Sequence, residues 1–195
     1  APDLQKSIGF YQSAAAAGLP EAQTNLGLLY ANGEGVETNP ELAAELWTSA
    51  ALANNAIAQF NLGLAYFAGR GVATDQQEAL GLILVAAAQG LADARFALAQ
   101  FYMRGLGLPE DLELARYFFE EARDAGHPEA DIFITDFEQR GIVSADIEKA
   151  VSEGRLPSLP KLLDPDTRQS PTRPRATAPS SQAKTEVPAV TSQRL

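Results

Sequence analysis

Few side chains in this 195-residue chain have the types and spacing to do chemistry. Carboxylates cluster at Glu110 and Asp111, at Glu120 and Glu121, and at Asp131 with Asp136, and the single histidine is His127. General acid–base work needs a buried carboxyl set against a differently placed one in a cleft. These clusters instead fall on polar faces or at a helix start. A lone histidine without any cysteine cannot build an ordinary transition-metal site, and its place before Pro128 reads as an exposed turn residue or a charge at a helix C-terminus. The G-x-G segments at Gly33 and Gly35, Gly69 and Gly71, and Gly105 and Gly107 have the glycines of a phosphate loop, but none follows a strand and each recurs in the same surroundings. They are turns. The sequence therefore predicts no catalytic residue, no cofactor site and no metal ligand, and the chain reads as a non-enzyme.

The elements around these residues repeat. A shift of 36 residues aligns Ala22, Ala58, Ala94 and Ala130, then Leu26, Leu62 and Leu98, then Gly27, Gly63 and Ala99, then Tyr30, Tyr66 and Tyr102. In the second half of the unit it aligns Asn39, Asp75 and Asp111, then Ala43, Ala79 and Ala115, then Trp47, Ile83 and Phe119, then Ala50, Ala86 and Ala122. Ala, Leu and Tyr at i, i+4 and i+8 form one stripe of a helix, here termed helix A. Gly33, Gly69 and Gly105 supply a left-handed C-cap. Asn39, Asp75 and Asp111 have the short acceptor side chain that opens a second helix, B, with Pro40 suited to its first position. The aligned alanines let A and B approach closely, Trp47, Ile83 and Phe119 fill the wider gaps, and each pair leaves an apolar side for the next to cover.

The strings LGLLYANGEGVETNPELAAELWTSAA (26–51) and LGLAYFAGRGVATDQQEALGLILVAAA (62–88) resemble the Sel1-like repeat family, a relative of the tetratricopeptide repeat with a longer A-to-B loop carrying G-x-G-V. The resemblance implies an all-α, right-handed α-solenoid of antiparallel helix pairs. Its expected units are an N-terminal B helix (1–19), repeats at 20–55, 56–91 and 92–127, a degenerate repeat with a capping helix at 128–154, and a disordered Pro-rich tail at 155–195. The capping helix is expected from Ser144 to Glu153, with Ile147 and Val151 facing the last pair.

Composition sets limits on partners. Residues 1–154 carry 8 Lys/Arg against 22 Asp/Glu, a net of −14, while 155–195 carry 7 against 3, a net of +4. An acidic body argues against nucleic acid, and the longest apolar stretch, Ala79 to Ala88, is about half of a bilayer-spanning helix. No membrane insertion is expected. Seven of the 12 prolines follow residue 155, so the folded body is expected to end near Gly154. Leu156, Leu159, Leu162 and Leu163 could dock on the body, serve as a short motif, or belong to a plain linker. The first residue is Ala rather than Met, as a cleaved signal peptide or an arbitrary boundary would leave it.

The resemblance also implies that A helices line an inner, concave side. With 100° per residue, the positions opposite the core stripe are −1, +2, +6, +9 and +10 from the aligned Ala. Their apolar members, Leu28, Ile57, Phe60, Leu64, Phe67, Phe96 and Met103, form with Gln100 and a rim at Arg104 the expected groove for a protein or peptide partner, with Arg70 and Arg140 as further rim positions. The resemblance implies an interaction scaffold or adaptor. The alternative is a regulatory or targeting module of a bacterial envelope protein that acts on peptidoglycan or a cell-wall enzyme. Oligomeric state and compartment stay open.

Overall fold

The structure, a computed structural model, describes residues 4–156. Within them are nine helices and no strand: α1 Leu4–Ala16, α2 Pro20–Asn32, α3 Pro40–Leu52, α4 Ala56–Ala68, α5 Gln76–Ala88, α6 Ala92–Arg104, α7 Leu112–Asp124, α8 Ala130–Gln139 and α9 Ile147–Ser152. The A helices are α2, α4, α6 and α8, and each through α7 packs most closely on the B helix that follows it.

Local chemistry sets the boundaries. α2, α4 and α6 end at Gly33, Gly69 and Gly105, whose φ values of 73°, 66° and 64° let the next N–H turn back onto the helix. Each A-to-B loop is then closed by a backbone bond to the tyrosine carbonyl: Asn39 N–H to Tyr30 at 2.8 Å, Asp75 to Tyr66 at 3.1 Å and Asp111 to Tyr102 at 2.9 Å. The same three residues cap the B helices, accepting from Leu42 N, from Gln77 N and Glu78 N, and from Leu114 N.

Within a pair the backbones meet at the glycine column. A Cβ on Gly27 would lie 2.5 Å from Trp47 Nε1, and one on Gly63 would lie 2.7 Å from Ile83 Cγ1 and 3.0 Å from the Ala79 carbonyl. The indole N–H donates to the Thr24 carbonyl at 3.2 Å, so Trp47 is both wedge and latch. Ala43, Ala50, Ala79, Ala86, Ala115, Ala122, Ile83 and Phe119 are wholly buried along these seams.

Between pairs, two columns that sequence comparison passed over recur with the repeat, one of side-chain donors and one of positive-φ turn residues. Gln23 Nε2, Gln59 Nε2 and Arg95 Nε, one per repeat, donate to the Ala15, Ala51 and Ala87 carbonyls near the end of the preceding B helix, adding a second bond to acceptors that already take the Gly18, Asn54 and Gly90 N–H groups of the turn. Gly18, Asn54, Gly90 and Gly126 take positive φ in the B-to-A turns. The second loop glycine also has a structural duty: a side chain on Gly71 would run into the Pro40 carbonyl at the start of the previous B helix. At the equivalent places Gly35 O accepts from Gln5 Nε2 at 2.9 Å, and Gly107 abuts Gln76.

The ends depart from expectation in three respects. α9 starts at Ile147 with Asp146, not Ser144, as its cap, accepting from Lys149 N at 3.1 Å. Ala145 N–H is bound to the Glu113 carbonyl, which fixes where the chain is free to begin turning. In the resulting register Ile147 and Ala150 face the core, while Val151 points outward at 59% exposure. Order also continues past Gly154, because Leu156 packs against the large C-terminal core. Leu159, Leu162, Leu163 and the rest of the tail expected to be disordered lie outside the described residues. At the other end Phe10 and Tyr11 are exposed, since α1 packs on α2 and no A helix precedes it among the described residues.

Gly71→Ala is expected to destabilise the chain by about 3 kcal/mol or more, because backbone must move. Gly90→Ala, where φ is +93° but nothing lies within 4 Å, should cost only the left-handed penalty of about 1–2 kcal/mol. Urea denaturation followed by circular dichroism measures both.

Candidate functional site

The helical wheel drawn for an isolated helix puts five positions per A helix in solvent, but neighbouring A helices sort these five into two groups. Positions +2 and +9 fall toward the adjacent repeat. Thr24 is 2% exposed and its hydroxyl contacts Asn55 Oδ1 at 3.2 Å. Phe60 and Phe67 are half-buried against the C-terminal core, and the Phe67 ring stacks on Phe101 with centroids 4.8 Å apart. Met103 is half-buried in the same way.

Phe96 is the clear correction. It is buried, 9% exposed, with its edge against Phe119 and Phe133 and its face covered by His127 at a centroid distance of 3.8 Å and an interplanar angle of 10°. His127 is accordingly no exposed turn residue. Its ring is a lid on Phe96, its Nδ1 accepts from Glu129 N at 3.3 Å, and its Nε2 faces Asp93 at 3.8 Å. The column Thr24, Phe60, Phe96 reaches Ile132, which is 69% exposed because no further repeat covers it among the described residues.

The open stripe consists of the remaining positions −1, +6 and +10 together with +3, which the wheel does not place outward, a regular i, i+4, i+7, i+11 face. On α4 these are Ile57, Asn61, Leu64 and Ala68, with Ile57 48% and Leu64 37% exposed. On α2 they are Glu21, Asn25, Leu28 and Asn32, with only Leu28 apolar and half-buried. On α6 they are Asp93, Ala97, Gln100 and Arg104, of which Gln100 is half-buried and Arg104 exposed. The apolar surface is thus narrower than expected, centred on α4 and flanked by polar stripes. Asn61 Nδ2 is the one buried side-chain polar atom without a hydrogen-bond partner among the described residues, and it lies on this stripe.

Four of the six carboxylates singled out by sequence, Asp111, Glu120, Glu121 and Asp136, are engaged in structure. Glu120 pairs with Arg116 at 2.8 Å, Glu121 with Arg95 at 3.4 Å and Asp136 with Arg140 at 3.0 Å. Asp111 caps α7 and binds the Arg155 guanidinium through both oxygens, at 2.7 and 2.8 Å. Among the described residues no three His, Asp or Glu side chains are grouped to hold a metal ion, and no helix is long and apolar enough to cross a membrane.

The Sel1 repeat family model matches residues 1–19, 20–55, 56–91 and 92–127. Among solved structures the chain is similar to a protective antigen present in uropathogenic Escherichia coli strains displaying an SLR fold, at 31% identity and a TM-score of 0.67, over 73% of this chain and 30% of that one. It is also similar to a Sel1 repeat protein from Oxalobacter formigenes, at 31% identity and a TM-score of 0.68, over 77% of this chain and 62% of that one. The match therefore spans less than two thirds of the length of either. No curated protein sequence matches the chain.

Phe96→Ala is expected to cost about 3–5 kcal/mol, as for other buried aromatic truncations. Ile57→Ser and Leu64→Ser should each stay within about 0.5 kcal/mol of the parent, as exposed positions do. Chemical denaturation of the three variants separates the seam column from the open stripe.

Proposed function

The chain belongs to the Sel1 repeat family, whose members are generally non-enzymatic scaffolds for protein–protein interaction, and on that premise we propose that it holds a peptide or amphipathic helix of another protein against the open stripes of α2, α4 and α6. One observation carries the reading: α4 exposes Ile57 and Leu64, at 48% and 37%, on one stripe of the same helix. Large apolar side chains grouped on a surface and rimmed by polar ones mark interaction sites. The half-buried Leu28, Phe60, Phe67, Gln100 and Met103 support the floor and Arg104 the rim, while Phe96 acts from beneath by holding the third repeat against the fourth.

Charge narrows the partner. With a net of −14 over residues 1–154, the body favours a segment whose apolar anchors are surrounded by Lys and Arg, and such a segment would associate faster at low salt. The division into repeats 20–55, 56–91 and 92–127, with 128–154 as a degenerate closing unit, belongs to the same proposal. On it the stripes of three A helices form one surface, which a partner reads across repeats.

The test compares the full chain with the double variant Ile57→Glu, Leu64→Glu as immobilised bait. The variant should keep its helicity and melt within about 3 °C of the parent, yet lose a partner that both the parent and Leu52→Glu retain; Leu52 is 43% exposed on a B helix. Equal retention by all three baits would overturn the proposal.

A further inference from the structure

Arg155 and Leu156 occupy a notch that the repeat architecture builds more than once. The notch lies where the end of helix A, the loop and the first turn of helix B meet. In the third repeat Tyr102 O–H donates to the Arg155 carbonyl at 3.1 Å. The Arg155 guanidinium forks onto the Asp111 carboxylate and reaches Glu113 at 3.2 Å. Leu156 packs against the core cluster that contains Leu114 and is flanked by Leu108. The pair thus uses three features together: a phenol donor for a backbone carbonyl, carboxylates for a guanidinium, and an apolar floor for the next side chain. Burial and the Asp111 charge push the Tyr102 phenol above its ordinary range, against the opposing pull of Arg155, which keeps it a donor.

The 36-residue period puts a related set in the first repeat, with one change: the neutral Asn39 stands where Asp111 takes the guanidinium, so the negative charge comes from Glu41 and from Glu37, which stands in the place of Pro109. Tyr30 stands for Tyr102, Asn39 for Asp111, Glu41 for Glu113, Val36 for Leu108 and Leu42 for Leu114. There, with Glu37 added, they line an open cleft of about 650 Å³. Neither Glu37 nor Glu41 takes part in an ion pair among the described residues.

We infer that the loop-edge cleft of the first repeat is a docking site for an extended, basic peptide of another protein in which an arginine is followed by an apolar residue. The occupied third-repeat notch is its internal template. The arginine sits between Glu37 and Glu41, the Tyr30 hydroxyl donates to the arginine's carbonyl, and the apolar side chain rests on Val36 and Leu42. A guanidinium suits this place better than an ammonium because its planar fork meets two carboxylates at once. The site is separate from the open A-helix stripes, so either can fail without the other.

The probe is the blocked peptide Gly-Arg-Leu-Pro-Ser, the sequence of residues 154–158, titrated into the full-length, isotope-labelled chain and followed by amide chemical shifts. The expected result is saturable shifts centred on residues 36–42. Affinity should fall at least about fivefold both with alanine in place of the peptide's arginine and in the Glu37→Gln, Glu41→Gln variant, as losing charge-assisted contacts requires. The Glu45→Gln control should bind like the parent. Three outcomes overturn the assignment: no saturation, shifts confined to residues 102–114 through exchange with Arg155, or binding undiminished by the double variant. Tighter binding to an Arg194→Ala chain would also overturn it, by assigning the cleft to the chain's own Arg194–Leu195.

Discussion

Everything above the level of the single helix depends on how closely helix A approaches helix B. Gly27 and Gly63 leave no side chain at the crossing, so the Trp47 indole and the Ile83 side chain close directly onto the A-helix backbone. In the third repeat Ala99 replaces the glycine and Phe119 replaces the wedge, and both are wholly buried. Since interiors fill at near-crystalline density, a gap or excess of one methyl at such a crossing is felt along the stack. The alanine columns on the B helices serve the same end, being small enough to let the two cylinders touch.

That close approach fixes where everything else can be. It sets the loop span that a tyrosine carbonyl closes and a capping Asn or Asp ends, and it carries the second loop glycine onto the start of the previous B helix. The stack is therefore held by repeated nearest-neighbour contacts, as a quasi-one-dimensional array requires. The two surfaces proposed for partners both follow from this. The α4 stripe is open because its seam sides are used by α5 and by the neighbouring repeats. The loop-edge clefts recur because the loop does, and one of them already holds a segment of the chain.

Local structure was legible in the sequence because its causes are local. The Ala, Leu and Tyr stripe, the glycine C-caps and the Asn or Asp N-caps each act within one helix turn, and all sit where their spacing put them. The seams between repeats were not legible from a helical wheel, which knows nothing of a neighbour. Hence Phe96, placed in solvent by angle alone, lies beneath His127. The donor column Gln23, Gln59 and Arg95 and the turn column Gly18, Asn54, Gly90 and Gly126 were visible as alignments. Their meaning was hidden, because the first unites different residue types by a shared donor group and the second unites Gly with Asn by a shared positive φ. The α9 boundary was missed for a similar reason: two adequate caps, Ser144 and Asp146, compete, and a contact with Glu113 decides between them.

The most direct test of this account is a double-mutant cycle on Gly27 and Trp47, read by urea denaturation. The three atoms nearest to a Cβ on Gly27, at 2.5, 2.8 and 3.0 Å, all belong to the Trp47 indole. Gly27→Ala in the Trp47→Ala background should therefore cost far less than it does alone, with a coupling energy of about 1 kcal/mol or more. Strictly additive losses would contradict the claim that this crossing governs the stack.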